Sequence, residues 1–101
     1  MVLVALILAS AAPADALPKA RQTYASCLSD YTNGAMGKPM SKEEFAAGLT
    51  AKCAAKEKTF REALIAADKA DGMSDADAQE DADDQVEGYI EQMTDNFESG
   101  E

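Results

Sequence analysis

Beyond residue 16 the chain holds only three β-branched aliphatic residues, Ile65, Val86 and Ile90. A sheet uses such side chains to fill its pleated faces, so their scarcity argues against a strand-built fold. No stretch alternates apolar with polar residues either. Ala, Glu, Lys, Met and Leu dominate instead, and these are helix formers. The reading is all-α, and a length of 101 residues allows one domain at most.

The apolar pattern divides that domain into three helices. Ala20, Tyr24, Cys27, Leu28 and Tyr31 recur at spacings of three and four. They form one apolar stripe, which predicts a first helix over about residues 18–31. Pro18 suits its first turn, where a missing N–H costs nothing, and Thr32-Asn33-Gly34 reads as its end. Ser41-Lys42-Glu43-Glu44 is a capping box, with Met40 and Phe45 placed as a hydrophobic staple. From there the stripe runs Phe45, Leu49, Cys53, Phe60, Leu64 and Ala67, and no breaker appears until Gly72. The second helix is therefore expected over about residues 42–70, roughly 43 Å long. A third, over about residues 75–97, starts at Ser74 and carries Ala82, Val86, Tyr89, Ile90, Met93 and Phe97 on one face. Ser99-Gly100-Glu101 is left as a frayed tail.

A helix with one apolar face needs a partner, and short linkers make neighbours antiparallel. The expected architecture is a small three-helix antiparallel bundle, or a helical hairpin plus a helix, over residues 17–98. The first helix would lie beside the first half of the second, and the third beside its second half. Fifteen of the 34 apolar residues after position 16 are Ala, so the core is thin and a covalent staple would help it.

Residues 1–16, MVLVALILASAAPADA, read as an export signal. An apolar run over Val2–Ala9 precedes small residues, and Ala14-Asp15-Ala16 fits a cleavage site before Leu17. No Lys or Arg precedes the run, which is too short to span a bilayer. The expected location is periplasmic or secreted. There Cys27 and Cys53, the two cysteines of the chain, tend to pair. Both fall on apolar stripes, so a disulfide between the first and second helices is expected. A tight hairpin would offset the two by roughly 10 Å along the helix axis, which the linker must absorb. They lack the C-x-x-C spacing of a redox pair.

Charge is distributed unevenly. Residues 17–70 hold nine bases and six acids, whereas residues 71–101 hold twelve acids and no base. The densest run contains Asp75, Asp77, Glu80, Asp81, Asp83 and Asp84. One role for it is purely structural: acids in a first turn complement the helix dipole, and some could meet Lys52, Lys56, Lys58 or Arg61. A second is an acidic docking face made of Asp75, Glu80, Asp83 and Glu87. A third is a weak calcium site from Asp77, Asp81 and Asp84, which share a helix face and offer hard oxygen ligands. The residues around Gly72 do not match an EF-hand loop, which excludes that motif. Met36 and Met40, four apart, read as linker packing and staple, not as copper ligands.

With no His in the chain, Ser-His and Cys-His nucleophilic pairs and imidazole metal sites are excluded. The acidic balance opposes nucleic-acid binding, which depends on clustered Lys and Arg. A three-helix domain with a thin core leaves little room for a water-shielded cleft. The expected function is that of a small exported, non-enzymatic binding or interaction protein with no cofactor. Its partner would be a protein, cationic, or a second copy of the chain. The alternative is weak calcium binding by the acidic helix.

Overall fold

A computed structural model of the chain describes residues 16–100. The expected leader occupies residues 1–16 and, but for Ala16, lies outside the described residues. Among the described residues the protein is all-helical, with no strand. The described residues form four helices where three were expected: α1 (Ala16–Ala35), α2 (Lys42–Lys52), α3 (Ala54–Ala70) and α4 (Asp75–Ser99).

The first helix runs a turn beyond its expected end. Thr32 and Ala35 are both 3% exposed, so continuing the helix buries two residues that a loop would leave wet. The Thr32 hydroxyl donates to the Leu28 carbonyl at 2.7 Å, a local bond available only in helical geometry. The stop comes from Gly37, whose φ of 84° is a left-handed value that costs glycine nothing. The Ser41 capping box forms as expected. Ser41 Oγ accepts from the Glu44 N–H at 3.0 Å, and Glu44 Oε1 accepts from the Ser41 N–H at 2.9 Å.

The expected single second helix is interrupted at Cys53. Cys53 sits at φ −102°, ψ 15°, between the last bond of α2, from its own N–H to Leu49 O, and the first of α3, from Glu57 N–H to its own carbonyl. No Gly or Pro marks the spot. The interruption falls on the residue whose sulfur is joined to Cys27 of α1, with a Cα–Cα separation of 5.9 Å, within the usual disulfide span. The disulfide thus ties α1 to the α2–α3 junction, not to the interior of a helix. The feared axial offset shrinks because α1 is longer and its linker shorter than expected. Cys27 lies about two turns before the end of α1, and Cys53 about three turns beyond the start of α2.

Aromatic contacts set the packing. Along α1 and the α2–α3 rod the pairs run in opposite order, Tyr31 with Phe45 at 5.6 Å and Tyr24 with Phe60 at 5.5 Å. Helix α4 is likewise antiparallel to the rod, since Phe97 stacks on Phe45 at 4.4 Å and Tyr89 meets Phe60 edge-on at 5.9 Å. Tyr89 also meets Tyr24 at 5.7 Å, which closes the three-way core. The expected half-and-half placement is corrected. Helix α1 packs against both α2 and α3, most extensively against α3, and α4 spans both halves and touches α1. Helix α4 comes close to the rod's length, and α1, though shorter, reaches across the Cys53 junction to aromatics on both sides of it. Helix α4 extends to Ser99, and Gly100 closes it at φ 80°, so the tail is shorter than expected.

Candidate functional site

The acidic residues of α4 sort into three groups. Ala78, Ala82 and Val86 are buried and define the inner face. Acids at its edges are taken up by α3. Asp83 pairs with Arg61, which also holds Glu57 at 2.9 Å, and Asp75 pairs with Lys69 at 3.3 Å. The Asp83 carboxylate holds the Arg61 guanidinium above its ordinary pKa, against the opposing effect of burial. Of the lysines and arginine expected to meet the acids, only Arg61 does so among the described residues, and Lys69 joins it.

The second group is a carboxyl pair in the α3–α4 seam. Asp68 and Asp81 interact across the seam, which holds the Asp68 pKa above its ordinary value and that of Asp81 below it; desolvation pushes Asp68 further up, and Asp68 Oδ2 is buried with no hydrogen-bond partner among the described residues. The Gln85 amide donates to both Asp81 oxygens, at 3.2 and 3.3 Å, and this also favours the ionised form of Asp81.

Alongside it, Arg21 of α1 donates to Gln85 Oε1 at 2.9 Å and to the Tyr89 hydroxyl at 3.0 Å. Its guanidinium lies 5.0 Å from the Phe60 ring centroid, a cation–π distance. Tyr24, at the centre of this cluster, is fully buried with no partner for its hydroxyl. Burial, with the nearby Glu57 charge adding to it, pushes its pKa up to about 12.

The third group faces outward. Asp77, Glu80, Asp84, Glu87, Glu91, Asp95 and Glu98 are all exposed. They are spaced three or four apart, which places them on one helix face opposite the buried residues. None enters an ion pair among the described residues. From Asp77 to Glu98 the stripe is roughly 32 Å long. Its C-terminal half rims an open groove of about 370 Å³ between α2 and α4, lined by Ala46, Ile90 and Thr94 with Lys42 and Glu43 at the edge.

The sequence-level candidates therefore divide. Glu80 and Glu87 stand on the outward stripe, whereas Asp75 and Asp83 are occupied by Lys69 and Arg61. Of the calcium trio, Asp77 and Asp84 are on the stripe while Asp81 is engaged with Asp68 and Gln85. Among the described residues no three acidic or cysteine side chains converge in a way that could hold a metal ion. Glu91, Asp95 and Glu98 were missed because attention to local charge density stops at Asp84. Projecting every acid opposite the Ala82–Val86 stripe would have found them.

A second surface lies between α1 and the α2–α3 rod. Two open grooves there, of about 500 and 440 Å³, both contain Thr23 and Lys56. Lys19 and Lys52 complete their basic lining, with Asp30 as the acid among the lining residues. No helix of the described residues is long and apolar enough to cross a membrane. No family model, curated protein or solved structure matches the chain.

Proposed function

We propose that this chain is a small exported, non-enzymatic interaction protein whose helix α4 docks a basic partner segment. The observation that carries the reading is the outward stripe of seven acids, none of which enters an ion pair among the described residues. Like charges three and four apart destabilise a helix, so the stripe costs the isolated protein something that a basic partner would relieve. The groove beside its C-terminal half offers Ala46 and Ile90 to apolar side chains of the same partner. This favours an amphipathic basic segment over a simple counter-ion. Pairing of Cys27 with Cys53 supports an oxidising compartment, and the absence of His supports a role without nucleophilic catalysis.

The test is titration of the oxidised protein with a Lys- and Arg-rich amphipathic peptide at physiological salt. Binding is expected, and replacing Glu80, Glu87 and Glu91 with Gln should weaken it roughly tenfold, given about 0.2–1 kcal/mol for each exposed pair. An unchanged affinity in that variant would overturn the reading. Export is tested separately by the intact mass after expression in a secreting host. A non-reduced subunit beginning at Leu17, two hydrogens lighter than the dithiol, is expected. A full-length, reduced chain would refute it.

A further inference from the structure

Surfaces of opposite charge lie on opposite sides of this bundle. The acid stripe faces away from the core on α4. The two grooves between α1 and the rod share Thr23 and Lys56 and form one trough on the flank of α1 remote from Arg21 and its α4 partners; no residue of α4 lines it, and Asp30 is the acid among its lining residues. Lys19, Lys52 and Lys56 line the groove, and none of them enters an ion pair among the described residues. Ala20 and Ala55 line it beside Lys19 and Lys56. Interaxial distance depends on the side chains at the contact, so these small residues let another helix come close.

We infer that this groove receives α4 of a second copy of the chain, with the three lysines meeting its acid stripe. The inference rests on α4 being a docking face, and it names a partner for that face. Because groove and stripe are on opposite sides, a copy cannot return to its neighbour the contact it receives. The interface is heterologous, so assembly grows as an open chain or closes as a ring, and does not stop at a two-fold dimer. One helix in one groove belongs to the small, weak class of interfaces. The net charge of −10 on each copy opposes association at long range. At physiological salt the screening length is about 8 Å, which damps repulsion between the two bodies and leaves touching charges largely intact.

The experiment is sedimentation of the oxidised, folded protein over a concentration series at physiological salt, with two variants. One carries Lys19→Glu, Lys52→Glu and Lys56→Glu; the other carries Glu80→Gln, Glu87→Gln and Glu91→Gln. Circular dichroism of each checks that the helices persist. The unaltered chain is expected to grow past dimer with concentration, and each variant alone to lose at least tenfold in association. Mixed together, the two should stop at a one-to-one heterodimer, since only one good groove and one good stripe remain between them. An unaltered chain that stays monomeric at about 1 mM, a dimer that grows no further, or a lysine variant that associates undiminished would overturn the inference. If the basic peptide still binds α4 in that event, only the self-association falls. If it does not, the docking face falls as well.

Discussion

The seam between α1 and the α2–α3 rod and the seam between the rod and α4 hold by different means. The first is covalent and close. Cys27 is bonded to Cys53, and Gly48 of α2 lies so near Tyr31 that an added Cβ would collide with its hydroxyl. The second has no covalent tie and depends on aromatic stacking with ion pairs at its edges, from Arg61 to Asp83 and from Lys69 to Asp75. Exposed ion pairs are worth little, so apolar burial must carry the second seam against the repulsion along its outer stripe. Two aromatic pairs stand at each seam, so what sets the first apart is its covalent tie and the close approach at Gly48.

The sharpest way to break the comparison is Phe60→Ala, because Phe60 serves both seams through Tyr24, Tyr89 and Arg21. Chemical denaturation should show a loss of roughly 3–5 kcal/mol, enough to unfold much of a marginal domain. Replacing both cysteines with Ala isolates the first seam. Restoring freedom to a loop whose ends are 26 residues apart should cost about 3.5 kcal/mol by loop-closure entropy. Hydrogen exchange would then rise in α1 first. An equal rise in α4 would mean that the seams are not independent.

A matched pair of glycine substitutions sharpens the contrast further. Gly48→Ala should lose about 1–3 kcal/mol, since Tyr31 must move out of a packed seam. At Gly88, on exposed α4, an added Cβ meets nothing within 4 Å. Gly88→Ala should therefore gain up to about 1 kcal/mol from helix propensity. Opposite shifts in thermal midpoint are expected, and equal shifts would count against the close approach of α1 and α2.

The smallest effect concerns pH at the second seam. The raised Asp68 pKa makes a stabilising contribution that is complete in acid and lost as pH rises through that pKa. The lowered Asp81 pKa does the reverse, its contribution being lost as pH falls through it. The pair is therefore most favourable in mild acid, between the lowered Asp81 pKa and the raised Asp68 pKa. Asp68→Asn keeps a neutral partner for Asp81 at every pH. Its melting temperature should exceed that of the unaltered chain by a few degrees near neutrality and match it in mild acid. A constant difference across that range would show that the two carboxyls do not shift each other's titration.

Much of this was legible in residue order. The helical class followed from the scarcity of Ile and Val, and the start of α2 from Ser41 and Glu44. With two cysteines in the chain, only one intramolecular pairing was open. Only Glu80 and Glu87 of the expected docking face stand on the outward stripe, although the spacing of three and four from Asp77 through Glu98 was there to be read. These features depend on interactions within a turn or two of helix, which sequence spacing determines directly. The end of α1, the break at Cys53 and the sorting of acids into paired and free were decided elsewhere. Thr32 and Ala35 stay helical because other helices bury them, against a Thr-Asn-Gly signal for a turn. Cys53 leaves helical geometry where it is bonded to a residue 26 positions earlier. Asp83 differs from Asp84 only in facing Arg61. Local propensity and periodicity cannot register such effects, because each arises from a partner that only the folded bundle brings within reach.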